Sequence, residues 1–270
     1  MKPVWTAFMV VPMPQLRCLL IVWLFIATFH PVQALEPGDI IINEVYFNAR
    51  GGTTNHVEAV ELLVIADKAN LNGLQISDRD FWGAPTEDQC TLNDLGQGFL
   101  SAVPSGTLLV IYNGHGQDDT NSSDHTLVFW AKSSLFCNIS PTGNATQLGD
   151  HGDNLHLLQL GKQLDFVKFR ASDRPGQGKG DPGKLHWENG SEGFIDVGPY
   201  RENVGFRFLG DKADLNDYSA AWMVYAETYL VTNNLGKPNG GRNTEWIETL
   251  RRPKTAGTPR NPSSAARQAE

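Results

Sequence analysis

Leu155-His156-Leu157-Leu158-Gln159-Leu160-Gly161-Lys162-Gln163-Leu164-Asp165-Phe166-Val167-Lys168-Phe169 holds two apolar-rich runs, with a glycine between them. Such runs, set apart by a Gly-X dipeptide, predict a β-hairpin, here closed by a type II′ turn at Gly161-Lys162. Upstream, 39–47 reads DIIINEVYF, rich in β-branched and aromatic residues, and is entered through Pro37-Gly38. That composition predicts a strand. The run 57–66, VEAVELLVIA, predicts a second strand that is buried on both faces for most of its length. Residues 74–77, 107–112 and 126–130 read as three further strands, and 205–209, 220–225 and 228–231 carry the last apolar material.

The stretches between them are polar and turn-rich, with long loops expected over 78–104, 113–124, 132–153 and 170–193. The 27 glycines and 15 prolines fit a chain of many turns. No heptad, repeat or long amphipathic helix is visible. Seven or so short strands joined in this way predict an all-β chain, an antiparallel β-sandwich with long loops.

The N-terminus differs from the rest. Residues 1–34 contain no acid, and Lys2 and Arg17 are their only lysine or arginine. An apolar run from Cys18 to Phe29 follows, then Pro31, then Val32-Gln33-Ala34. This is the layout of a secretory signal, with cleavage expected after Ala34. The run is shorter than the roughly 20 residues of a spanning helix. An uncleaved anchor is the alternative, and a membrane is a partner only in that case. The expected location is secreted, periplasmic or cell-surface.

Removal of Lys2 and Arg17 leaves 20 basic against 30 acidic residues. Such a surface repels phosphate backbones, which disfavours nucleic acid as a partner. Cys90 and Cys137 are the cysteines left in the exported chain, so one disulfide is expected, worth about 4 kcal/mol in the chain-entropy model. Two separate buried thiols are the alternative. The domain expected over 38–240 is followed by 241–270, which reads as a disordered polar tail with six basic and three acidic residues.

Several motifs recur in order. Ile41-Ile42-Asn43-Glu44-Val45 opens the series, then Glu58-Ala59-Val60-Glu61-Leu62, then Leu71-Asn72-Gly73-Leu74-Gln75-Ile76-Ser77-Asp78. Pro104-Ser105-Gly106, Gly152-Asp153-Asn154-Leu155 and Leu164-Asp165-Phe166-Val167 follow, and Asn234-Leu235-Gly236-Lys237-Pro238-Asn239 closes it. Together these resemble the lamin tail domain family, in its exported bacterial form. Leu74 stands where that family usually has tryptophan, and Leu235 replaces the proline before Gly236. The resemblance implies an immunoglobulin-like sandwich and a binding or interaction module with no catalytic residues.

Three sets of side chains are candidates for more than packing. Glu44, Glu61 and Arg207 fall in expected strands among apolar neighbours, where a buried carboxylate needs a partner. One reading pairs one or both glutamates with Arg207 between the sheets, and the plainer one leaves them at strand ends in water. Asp150, His151 and Asp153 crowd into one short stretch, and His115, Asp118, Asp119, Asp124 and His125 into another. Oxygen-rich loops of this kind hold calcium, and His with Asp holds zinc, although neither stretch matches a known spacing. Turn capping is the plainer reading. The loop aromatics Phe81, Trp82, Trp187 and Phe194 suit carbohydrate or protein contact, or plug the sandwich ends. The function expected is a noncatalytic extracytoplasmic binding or scaffold module with a protein or carbohydrate partner. The alternative is a metal-dependent hydrolase built on the Asp/His loops.

Overall fold

In the computed structural model, residues 34–47, 58–79, 89–114, 116–130, 137–139, 152–170, 195–197, 204–226 and 234–253 are described. Strands β1 (Ile40–Phe47) and β2 (Ala59–Val64) are buried along their whole length. Strands sealed on both faces belong in the middle of a covered sheet. Both lie there, flanked by β5 (Leu108–Tyr112), β6 (Thr126–Trp130), β11 (Val204–Phe208) and β12 (Trp222–Ala226). The order across this first sheet is β12-β11-β1-β2-β5-β6.

The second sheet contains β3 (Leu74–Arg79), β4 (Gln89–Leu92), β7 (Cys137–Ile139), β8 (Gly152–Gln159), β9 (Lys162–Arg170) and β10 (Ile195–Asp196). Its order is β10-β9-β8-β3-β4-β7. The chain is therefore an all-β sandwich. It is antiparallel except at two outer pairs, β5/β6 and β9/β10, which run parallel.

One apolar core fills the space between the sheets. Phe47, Phe169 and Phe206 meet there, with ring centroids 4.6 Å apart for Phe47–Phe169 and 5.1 Å for Phe169–Phe206. Trp222 packs edge-on to Phe206 at 5.5 Å. Rings in tilted contact add to what their buried area contributes.

Several sequence expectations need correction. The hairpin turn is Leu160-Gly161, because Gln159 pairs with Lys162. Both turn residues have positive φ, 52° and 77°. This is the type I′ pattern, whose twist matches the strands, rather than type II′. The stretch 78–104 is not all loop, since it contains β4, paired to β3 and β7. Residues 241–251 are not a disordered tail. They form helix α1 (Gly241–Arg251), which buries Asn243 and Ile247. The apolar stretch 228–231 lies outside the described residues.

The register polarises the sandwich. Phe47, Tyr112, Trp130, Val204 and Ala226 mark one end of the first sheet. Arg79, Ile139, Gly152 and Arg170 mark one end of the second. The Phe47–Phe169 contact shows that these ends coincide. The connections 48–57, 80–88, 131–136, 140–151, 171–194, 198–203 and 227–233 all begin there. At the opposite end, Leu35 enters, with its N–H donating to Gln159 Oε1 at 2.9 Å. The hairpin and the connections 65–73, 93–107 and 209–221 also close that end.

Candidate functional site

A β-bulge at Asn43 decides where the polar residues of β1 point. Ile42 pairs with Leu62 and Glu44 with Glu61, so Asn43 has no register partner on β2. A bulge turns two successive side chains to the same face. Val45, Phe47, Val60 and Leu62 fill the core. Asn43, Glu44 and Glu61 therefore lie on the outer face of the first sheet. Arg207 joins them there, opposite Glu44 on β11.

That face is not open. From Asn234 to Asn239 the chain crosses it as a strap, with Leu235 against Tyr46, Ala59 and Val110. Gly236 sits at φ +82°, and an added Cβ would stand 3.3 Å from Thr126 Cγ2, so the close crossing favours glycine. Glu44 and Glu61 are both fully buried. Glu61 Oε1 accepts from Asn43 Nδ2 at 2.7 Å, and Oε2 from the Gly236 N–H at 2.6 Å. Tyr225 Oη donates to Glu44 Oε1 at 2.5 Å. Burial, then the neighbouring Glu44 charge, pushes the Glu61 carboxyl up to about 8, against the lowering effect of its hydrogen bonds from Asn43 and Gly236.

Glu44, Glu61 and Arg207 share the outer face of the first sheet rather than the space between the sheets. Arg207 Nη1 donates to Asn234 Oδ1 at 2.8 Å, and its guanidinium lies 5.5 Å from the centre of the Tyr225 ring. Glu36–Lys162 and Glu248–Arg251 are ion pairs at the surface. On the outer face the strap meets Glu61 through the Gly236 N–H and Arg207 through Asn234, while Glu44 is met by Tyr225 of β12.

Sequence reasoning did not single out the asparagines or Asp165. Asn239 Nδ2 donates to the carbonyls of Asn43 (3.0 Å) and Phe208 (3.2 Å). Asn243 ties α1 to the same point, accepting from Asn239 N at 3.0 Å and donating to Asn43 Oδ1 at 3.1 Å. Asn234 Nδ2 donates to Asn239 Oδ1 at 2.7 Å. Asp165 reaches across from β9, where its Oδ2 accepts from Ile42 N (2.6 Å) and Asn216 Nδ2 (2.8 Å). Burial raises its carboxyl to about 7, although these hydrogen bonds pull the other way. The sequence signal was a run of asparagines within a polar C-terminal stretch.

The remaining candidates fall as follows. Asp150 and His151 lie outside the described residues, and Asp153 is described only as backbone, paired with Phe169. His115, Phe81, Trp82, Trp187 and Phe194 are also outside. Asp118, Asp119 and Asp124 each accept a backbone N–H, from Trp130, Asn121 and Thr126 respectively. The bonds of Asp119 and Asp124 are turn caps, and that of Asp118 ties its loop to the end of β6. Among the described residues no three His, Cys, Asp or Glu side chains gather as a metal site. Asp94 organises the loop after β4. Burial opposes its ionisation, but hydrogen bonds from Gly96, Asn72, Leu100 and Gly98 outweigh this and hold the carboxyl below its usual range. Cys137 stands across from Leu92 and Cys90 across from Ile139, which makes the two cysteines diagonal neighbours on adjacent strands. Residues 1–33 are outside the described part, and no described helix is long and apolar enough to cross a membrane.

This architecture is that of an all-β sandwich with a strapped outer face. Neither family models, nor curated proteins, nor solved structures yielded a match to the chain.

Proposed function

We propose that this chain is a noncatalytic, extracytoplasmic binding or scaffold module of lamin-tail type, which meets a protein or glycan partner through one end of the sandwich. The observation that carries this reading is the polarity of the connections. Seven connections begin at one end, 171–194 the longest of them, while the other end carries the hairpin turn, the connections 65–73, 93–107 and 209–221, and α1. A rigid scaffold with its connections gathered at one end is a common design for recognition. The aromatic residues Phe81, Trp82 and Trp187 belong by sequence to two of those segments.

The buried acids support a structural role. Glu61, Asp94 and Asp165 spend carboxylate oxygens on N–H groups of the fold itself. Export is supported by a compact unit that begins at Ala34, next to the expected cleavage point. A Cys90–Cys137 bridge is part of the proposal. Cys137 lies on the strand paired with that of Cys90, two register positions away.

A photo-cross-linking residue placed at Phe81, Trp187 or Leu160 in the full chain tests the binding end. Adducts are expected from the first two positions. Leu160, at the tip of the opposite end, is expected to give none. Adducts formed mainly from Leu160 overturn the reading.

A further inference from the structure

We propose that the strap, Asn234–Asn239, is a proton-gated latch, held on the sheet while the Glu44–Glu61 pair retains a proton and released when both carboxyls ionise. The geometry has three parts. The two glutamates are cross-strand neighbours, and both are fully buried. Side-by-side carboxylates out of water ionise together only at high cost. The strap touches the pair directly, through the Gly236 N–H on Glu61 Oε2. Its other holds on the sheet are the Arg207–Asn234 hydrogen bond, Thr126 Oγ1 donating to Gly236 O at 3.3 Å, the Leu235 contact and, at its end, the Asn239 amide on the Asn43 and Phe208 carbonyls.

Among the described residues, the charged and titratable groups around Glu61 come from every neighbouring element. Glu44 is on β1. Tyr112 on β5 is raised above its ordinary range by burial, then by Glu61 and Glu44. Arg207 on β11 is turned to Asn234, and Tyr225 on β12 donates to Glu44. Arg251 of α1 lowers the Glu61 value, but its side chain bonds Gly106 O and Glu248. Its pull is the smallest of the contributions, and Glu61 stays high at about 8, against an ordinary value of 4.5.

The direction follows from linkage. An open strap admits water to Glu61 and returns it towards 4.5, so the closed state binds a proton that the open state releases. Closure is strongest below about pH 4.5 and weakens as pH rises towards 8.

Hydrogen exchange of the full chain, read by mass spectrometry from pH 5 to 8 and corrected for the intrinsic rate, tests this. The opening constant of a 234–240 peptide is expected to rise by up to tenfold per pH unit. A β5 peptide, which exchanges only through global unfolding, is expected to keep a far smaller opening constant at every pH. Glu61→Gln flattens the strap profile. Should that variant not fold, Glu44→Gln removes the neighbouring charge and moves the transition to lower pH. Asp165→Asn leaves the strap profile as it was. Equal opening constants in strap and β5, or an unchanged strap slope in the glutamine variants, overturns the latch.

Discussion

Replacing Asn239 by alanine removes the one side chain that joins the strap to the place where β1 and β11 part. Its amide donates to two backbone carbonyls, Asn43 O and Phe208 O. Its own oxygen accepts from Asn234 at 2.7 Å. Asn239 is 4 % exposed, so water has no ready route to replace it. Each buried acceptor left without a donor costs about 1–3 kcal/mol. Asn234 is only partly buried and recovers most of its loss from solvent. The two carbonyls together set an expected destabilisation of about 3 kcal/mol, a large share of the roughly 5–15 kcal/mol that holds an ordinary domain together. Urea unfolding measures it as a lower midpoint at unchanged slope. Asn239→Asp turns a carboxylate towards the same carbonyls, and at pH 7 it should cost more than alanine. Lys237→Ala, on the exposed side of the strap, should stay within about 0.5 kcal/mol. A loss under about 1 kcal/mol for Asn239→Ala, or an aspartate tolerated as well as alanine, refutes the role given to this residue.

Leu160 is 84 % exposed and sits at φ 52°, where a leucine is strained. Leu160→Asn makes an Asn-Gly type I′ turn and should raise stability by about 1 kcal/mol in thermal or urea unfolding. Ile247→Ala empties a fully buried site where α1 meets the core, and should cost about 2–5 kcal/mol in urea unfolding. Asp165 holds its proton up to about pH 7 when folded, against 3.8 as its ordinary value. Its contribution is thus fullest below pH 3.8 and is lost as pH rises through 7. Urea midpoints of the wild type should fall from pH 5 to pH 8, and less steeply in Asp165→Asn.

The strands that make up the middle of each sheet were legible because their burial is written in β-branched and aromatic runs. Thr126–Trp130 matches β6 residue for residue, and 39–47 misses β1 by one. What escaped depended on partners. The strand Gln89–Leu92 has little apolar content of its own and exists through its pairing with β3 and β7. Helix α1 offers only Trp246, Ile247 and Leu250 as apolar side chains, too few to mark a periodic face. It is held by Ile247 in the core and by Ser105 Oγ donating to Leu250 O at 2.7 Å. The turn moved by one residue because register, not the glycine alone, decides which pair closes the hairpin. Glu44 and Glu61 were visible as polar residues inside apolar strands. Which face they occupy hangs on the bulge at Asn43, and nothing in a local sequence window announces it.

That bulge also explains why the C-terminal segment belongs to the fold. β11 accompanies β1 only over Glu44–Phe47. Beyond that point, the Ile42 N–H and the Asn43 carbonyl face no neighbouring strand, and a buried backbone group without a partner is costly. Asp165 from the opposite sheet takes the first, and Asn239 takes the second. A gap between two strands is thus closed by one residue from the second sheet and one from 196 positions further along the chain. The strap and α1 are therefore part of the sandwich's hydrogen bonding, placed where β1 and β11 diverge. The long connections begin at the far ends of these strands, so their sequence can change without disturbing these bonds. A fold that concentrates its buried polar bonds at such a junction leaves one end available for recognition.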